Sequence, residues 1–257
     1  CKRRCFYCDF AVVPIGDHIK GVDGSEIDSI NAYLKLLHTE IDSVGKSEPL
    51  STIYIGGGTP SILSPNQIGN LLDHLKEKFG IQPGSEITIE VDPASFNQTV
   101  LEEFLDLGIN RLSLGGQSFD DQILKKIGRT HNRDQLIESC KWINEMFEKG
   151  KLRSWSLDLI QNLPGHDLDF WKSQLIEAIN VSPPHLSIYD LSIEPGTVFD
   201  LKKQRGQLEL PNDELSEEIN RLTFTTLRKE GFSRYEISNF ALPGHTSRHN
   251  RVYWSGA

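Results

Sequence analysis

Short runs in which apolar and polar residues alternate give way, along this chain, to longer runs with apolar residues three and four apart, the two periods that separate strands from helices. STIYIGGG, EITIEVDP, NRLSLGGQ, SWSLDLIQNLP and HLSIYDLSIEP join β-branched or aromatic residues to a Gly or Pro stop and read as strands. SPNQIGNLLDHLKEKFG, TVLEEFLDLG, RDQLIESCKWINEMFEKG and DLDFWKSQLIEAINVSP lie between or after them and read as helices. The first of these has Ser64 and Pro65 placed as N-cap and first helical residue, and Gly80 as its stop. An earlier helix, EIDSINAYLKLLHTEIDSV, precedes the first strand. Such alternation predicts an α/β fold, with parallel strands joined by right-handed crossovers. One further strand is expected ahead of Cys1, which makes six β/α units and an open partial barrel.

The pattern changes after residue 197. VFDLKKQRGQLELPNDELSEEINRLTFTTLRKEGF reads as a polar connection and one amphipathic helix, and SRYEISNFALPGHTSRHNRVYW as a strand and a loop. Residues 1–197 therefore form the expected core and 198–257 a connection with the start of a C-terminal region. The chain reads as a fragment truncated at both ends.

Composition narrows the function classes. With 27 Lys and Arg against 36 Asp and Glu, the net charge is −9. A sequence-independent nucleic-acid binder shows the opposite sign, so no nucleic-acid partner is expected. No apolar run reaches the ~20 residues of a membrane span, which leaves peripheral contact as the only expected membrane association.

The chain has four cysteines, three of them in CKRRCFYC. Cys140, inside an amphipathic helix, reads as a small buried hydrophobe. Cys1, Cys5 and Cys8, in a Cys-x3-Cys-x2-Cys spacing, read as metal ligands. Zinc would need a fourth ligand, for which His18 is the nearest histidine. A four-iron cluster held by three thiolates keeps one iron open for a further ligand. In parallel β/α folds, sites gather at the C-terminal strand ends. Here those ends carry GGGTP, Glu90 with Asp92, Gly116 with Gln117, Asp158 and Glu194.

CxxxCxxC at this place resembles the signature of the radical SAM superfamily, and Tyr7 fits the aromatic between its second and third cysteines. YIGGGTPSIL, EVDPASF, RLSLGGQSFDD, SLDLIQNLPG, SIYDLSIEPGT and YEISNFALPGHTSRHN resemble the oxygen-independent coproporphyrinogen III oxidase group within it. The oxidases look like CxxxCxxCxC, whereas the matching last position here is Phe10. CDF and HNxxYW (His249, Asn250, Tyr253, Trp254) are instead similar to HemW-type heme chaperones. This resemblance implies an open partial (β/α)6 barrel of radical SAM type. It also implies a 4Fe-4S cluster on Cys1, Cys5 and Cys8, S-adenosylmethionine on the open iron, and heme b held non-covalently for delivery to acceptor proteins. An electron donor is implied as well. The location would be cytoplasmic in a bacterium, mitochondrial or plastid in a eukaryote. The rival readings are the oxidase itself, acting in porphyrin biosynthesis, and a structural zinc module.

Single residues carry two readings each. Gly56, Gly57 and Gly58 let a ligand approach the backbone, or form a tight turn capped by Thr59. The resemblance puts Gly57, Gly58 and Thr59 on the methionine moiety. Glu90 either accepts from the ligand's ammonium or is a surface or capping carboxylate. Gln117 is implied on the ribose. Arg129 is a carboxylate-binding cation or a solvated helix-end charge. Asp158 is an acid inside an apolar strand, where it needs partners, and it is implied on ribose hydroxyls or the amino group. His249 is an axial heme ligand, a loop cap or a core histidine; His245, His166 and His185 have weaker claims.

Overall fold

A computed structural model describes residues 1–16 and 27–256. His18, the alternative zinc ligand, lies outside the described residues. Five parallel strands, β1 (Leu50–Ile55), β2 (Ile81–Val91), β3 (Arg111–Gln117), β4 (Ser154–Gln161) and β5 (His185–Asp190), follow one another across an open sheet. Two short strands extend it: β6 (Ser233–Arg234) and β7 (Asn239–Ala241), with β7 antiparallel to β5 and β6 outermost. The open α/β sheet expected from the alternation is therefore the fold observed.

The sheet has two unlike faces because its strands alternate strictly. Ile53, Ile87, Ile89, Leu112, Leu114, Trp155, Leu157, Leu186 and Ile188 pack into the main core. Against them lie apolar side chains of α2 (Pro65–Phe79), α3 (Gln98–Asp106), α5 (Arg133–Glu148), α6 (Leu168–Asn180) and α8 (Asp213–Lys229). Cys140 belongs to this core, and burial pushes its thiol up to about 12. The other positions of the same strands are polar: Thr52 and Tyr54, Glu86, Thr88 and Glu90, Arg111 and Ser113, Ser156 and Asp158, His185 and Ser187. Register sets them in rows, with Ser113 paired to both Glu90 and Ser156, and Asp158 to both Gly115 and Ser187. Central parallel strands are usually apolar on both faces. A buried polar face on β4 is therefore an unusual expense, offset here by hydrogen bonds between the strands.

Local signals explain the helix starts. Ser64 accepts from Gln67 N while the Gln67 side chain bonds the Ser64 N–H, and Pro65 occupies the first turn. Asn132 and Gln135 repeat that arrangement at α5. The earlier helix is α1 (Asp28–Ser43). Two more helices were not in the sequence reading, α4 (Asp121–Lys126) and α7 (Val198–Gln204), both too short for an apolar period. The loop expected around His249 is in fact α9 (Arg248–Ser255), because Ser247 caps it by accepting from Asn250 N at 3.2 Å. Buried Glu86 supports that start by accepting from the Ser247 hydroxyl and from the backbone N–H groups of Arg248 and His249. A carboxylate at a helix N-terminus satisfies donors the helix itself cannot, and no apolar periodicity announces it in sequence.

Candidate functional site

Cys1, Cys5 and Cys8 lie on a loop held from two sides. Phe6 donates its N–H to Ile127 O (2.9 Å), and Phe199 N donates to Phe6 O (2.9 Å). The Phe6 and Tyr7 side chains pack against Ile123, Leu124, Ile127, Ile160, Leu163 and Phe199. Gly128 is required there, since a Cβ would stand 3.0 Å from the Phe6 ring and its φ is +79°. The loop thus presents its thiols to the C-terminal strand ends, where they border a cavity of about 430 Å³. That volume is typical of a small-molecule site.

Tyr7, Gly58, Thr59, Glu90, Gln117, Arg129 and Asp158 border the same cavity. Gly57 does not line it, and instead donates its N–H to Glu90 Oε2 at 3.0 Å. Glu90 also accepts from the Tyr54 hydroxyl (2.9 Å), so this carboxylate shapes the glycine turn from below. A Cβ on Gly56 would come within 2.7 Å of the Tyr54 ring, which explains that glycine by close approach. Thr59 is no cap: its side chain makes no capping bond to the short turn that follows, and its hydroxyl donates to Cys1 Sγ at 3.2 Å.

Arg129 is a partnered charge. It donates to Asp92 (2.5 Å), to Gly115 O (2.7 Å) and, at 3.8 Å, to Cys5 Sγ. Burial works against its charge, but Asp92, Tyr7 and Cys5 outweigh that and hold it as the cation. Among the described residues its buried Nε has no partner, which leaves one donor unused. Gln117 has φ +65° beside an irregularity in the β3–β4 register, a strained placement for a residue with a side chain. His131, neutral because burial and then Arg129 push it down to about 4, contacts Gly116 O at 3.1 Å and pins this turn.

Asp158 is buried, and its partners are hydroxyls: Ser113 at 2.7 Å on one oxygen and Ser156 at 2.9 Å on the other. Burial pushes it up to about 6, against the pull of Ser113, Ser187 and Ser156, with Glu90 adding to the rise. Tyr54, Ser113, Ser156 and Tyr189 are site or supporting residues that the motifs alone did not single out. The signal available for the serines was the polar alternation in RLSLGG and SWSLDL.

His249 is not brought to this cavity. It sits on α9, with Nδ1 2.9 Å from Thr52 Oγ1 and its ring stacked on Tyr54. Burial lowers its pKa against the opposing charge of Glu86. His166 is a buried ring between Phe170 and Trp171, pushed down to about 4 by burial. Among the described residues, no three His, Cys, Asp or Glu side chains gather tightly enough to hold a single metal ion. Three thiols of one loop around an open cavity suit a cluster, whose irons are several and apart.

The family model of the radical SAM superfamily matches residues 1–171. The chain belongs to the radical SAM superfamily. It is 40% identical over 255 residues to the heme chaperone HemW of Synechocystis sp., covering 99% of this chain and 60% of that protein. The mitochondrial radical S-adenosyl methionine domain-containing protein 1 of Bos taurus is 33% identical over 255 residues, or 99% of this chain and 55% of that protein. The chain thus spans little more than half the length of these relatives. Among solved structures, coproporphyrinogen III oxidase (HemN) from Escherichia coli superposes with a TM-score of 0.79 at 23% identity, covering 100% of this chain and 56% of that one. That likeness speaks to the fold, and a superfamily member of this fold is one in which a 4Fe-4S cluster and S-adenosylmethionine are implied. Among the described residues, no helix is long and apolar enough to cross a membrane.

Proposed function

We propose that this chain is the cofactor-bearing core of a heme chaperone, in which Cys1, Cys5 and Cys8 hold a 4Fe-4S cluster and the adjoining cavity takes S-adenosylmethionine. The observation that carries the reading is the convergence of the three thiols with Glu90, Gln117, Arg129 and Asp158 on one cavity. The similarity to a heme chaperone over 99% of the chain, and Phe10 where the oxidases have a cysteine, favour delivery of heme over decarboxylation.

When bound, the cluster would supply an electron to the sulfonium centre of S-adenosylmethionine. The chain's own groups do the positioning. Thr59 steadies Cys1 Sγ by hydrogen bonding, and Arg129 places a positive charge beside Cys5. The glycines of the turn leave space at the thiols: a Cβ on Gly58 would lie 3.7 Å from Cys1 Sγ. Glu90 would offer carboxylate oxygens to an ammonium group, Arg129 a donor to a carboxylate, and Asp158 and Gln117 hydrogen-bonding groups to ribose hydroxyls, all four bordering the one cavity. Tyr7 and Ile160 would put apolar surface on the cavity wall. Heme b would be held without covalent attachment, since the chain has no C-x-x-C-H sequence. If His249 is its axial ligand, the bonding nitrogen is Nε2, because Nδ1 is engaged with Thr52. Heme-accepting proteins and an electron donor complete the proposal.

The test uses the full-length protein reconstituted anaerobically with iron and sulfide. The Soret band is followed during heme titration of wild type, Cys8→Ser, His249→Ala and Phe10→Cys, and each is assayed for coproporphyrinogen III decarboxylation. Stoichiometric heme uptake by wild type without decarboxylation is expected, with loss of cluster iron in Cys8→Ser. Decarboxylation by wild type without heme uptake would replace this reading with the oxidase.

A further inference from the structure

Asp158 ends a line of hydrogen bonds that crosses the polar face of the sheet. Ser156 Oγ lies 2.9 Å from Asp158 Oδ1 and 2.8 Å from His185 Nδ1. His185 Nε2 lies 2.9 Å from the Tyr235 hydroxyl, and Tyr235 in turn accepts from Ser247 N at 3.2 Å, just ahead of α9. With the Ser187 proton engaged on Asn239 Oδ1, the bond directions follow from placing the Ser156 proton on the charged Asp158. An ionised carboxylate only accepts, so the single Ser156 proton points at Asp158. His185 Nδ1 must then donate to Ser156, which makes Nε2 the acceptor and the Tyr235 hydroxyl its donor. A neutral ring is required. Burial, with Arg111 and His245 adding, holds His185 neutral, well below its ordinary titration range.

We infer that Ser156, His185 and Tyr235 are positioning residues that aim one continuous run of donors at Asp158, keeping it a carboxylate, and that the tautomer of His185 follows the charge on Asp158. Protonated Asp158 can donate to Ser156. Ser156 then donates to His185 Nδ1, and Nε2 carries the proton toward Tyr235. One proton is gained by the carboxyl group, and the others only change the atom they sit on. The segment that begins α9 is thereby coupled to the cavity, more than one strand away.

Other charges face the pair and enter the balance. Glu90 from β2 and the buried oxygens of Tyr54 and Tyr189 from β1 and β5 stand near Asp158. Arg111 from β3 feels both Asp158 and Glu86, and it opposes a charge on His185. Ser113 donates to the other Asp158 oxygen, and Ser187 helps to hold the carboxylate. Ser187 Oγ also lies 2.9 Å from Ser156 Oγ and donates to Asn239 Oδ1, so it competes with Asp158 and His185 Nδ1 for the Ser156 proton.

The role of the carboxylate toward S-adenosylmethionine rests on the proposed function; the line of bonds behind it does not. The full-length protein is labelled with ¹⁵N-histidine and ¹³C-carboxyl aspartate, with His185→Gln and Asp158→Asn spectra identifying the two resonances. Wild type should show His185 protonated on Nδ1 at neutral pH, crossing to Nε2 as the Asp158 carboxyl titrates. Removing one hydrogen bond to a charge in Ser156→Ala should raise the Asp158 titration by about one to two pH units, with Ser156→Thr restoring it and Tyr235→Phe producing a smaller rise. S-adenosylmethionine affinity, measured by calorimetry, should lose its upper plateau at the shifted pH in Ser156→Ala. An Nε2-protonated ring at neutral pH in wild type, or an unmoved Asp158 titration in Ser156→Ala, would overturn the inference. If both spectroscopic signals appear while S-adenosylmethionine fails to bind wild type at any pH, the inference stands and the proposed function falls.

Discussion

Glu86 and Glu90 occupy the same strand and the same face, yet they do different work. Glu86 is 4% exposed and its oxygens are occupied by the donors at the start of α9. Among the described residues, Glu90 accepts from the Tyr54 hydroxyl and Gly57 N and otherwise borders open space. The same carboxylate is a structural anchor where the chain closes over it and a candidate ligand group where the strands end. What separates them is the company supplied by distant sequence, not residue type.

Two substitutions can break this contrast. Glu86→Ala should lose about 3 kcal/mol of stability, because several buried donors lose a charged acceptor. Urea unfolding should show Glu90→Gln costing about 1 kcal/mol while weakening S-adenosylmethionine binding. Equal costs would erase the distinction between anchor and ligand group.

Asp158→Asn should move stability the other way. The folded carboxyl titrates near about 6 instead of 3.8, so the fold disfavours its charged form. That penalty is present at pH 7 and fades as pH falls from 6 toward 4, where the proton is bound. At about 1.4 kcal/mol per pH unit, the variant should be up to about 3 kcal/mol more stable than wild type at pH 7, and no more stable at pH 4. A gain at both pH values would mean that packing, not charge, is responsible.

Gly56→Ala should cost about 1 to 2 kcal/mol through overpacking against Tyr54. Its sharper signature is local, a weakened Tyr54–Glu90 hydrogen bond, seen as faster hydrogen exchange at Gly57 N. An unchanged exchange rate would show that Tyr54 yields without disturbing the turn.

Much of this was legible in the residues. Ser64, Pro65 and Gly80 bound α2 as their local chemistry requires, and the βα alternation led to the open parallel sheet. The spacing of Cys1, Cys5 and Cys8 and the strand-end places of Glu90, Gln117 and Asp158 pointed to residues that the fold sets around one cavity. Other features were hidden for physical reasons. α4 and α7 are too short for a period. α9 depends on Glu86, more than 160 residues away in the chain. Asp92 gained its meaning as the partner of Arg129, and α9 sets His249 against Thr52 and Tyr54 rather than on the cavity.

The sequence by itself determined what its local periods and spacings encode: which segments become strands and helices, which strand face is apolar, and which loop carries three thiols. Only the tertiary structure decided which polar groups meet, because hydrogen-bond partners on this face come from different strands and from a helix at the far end of the chain. Burial then gave those meetings their consequences, holding His185 neutral, lifting Asp158 and leaving Arg129 Nε as a donor without a partner among the described residues.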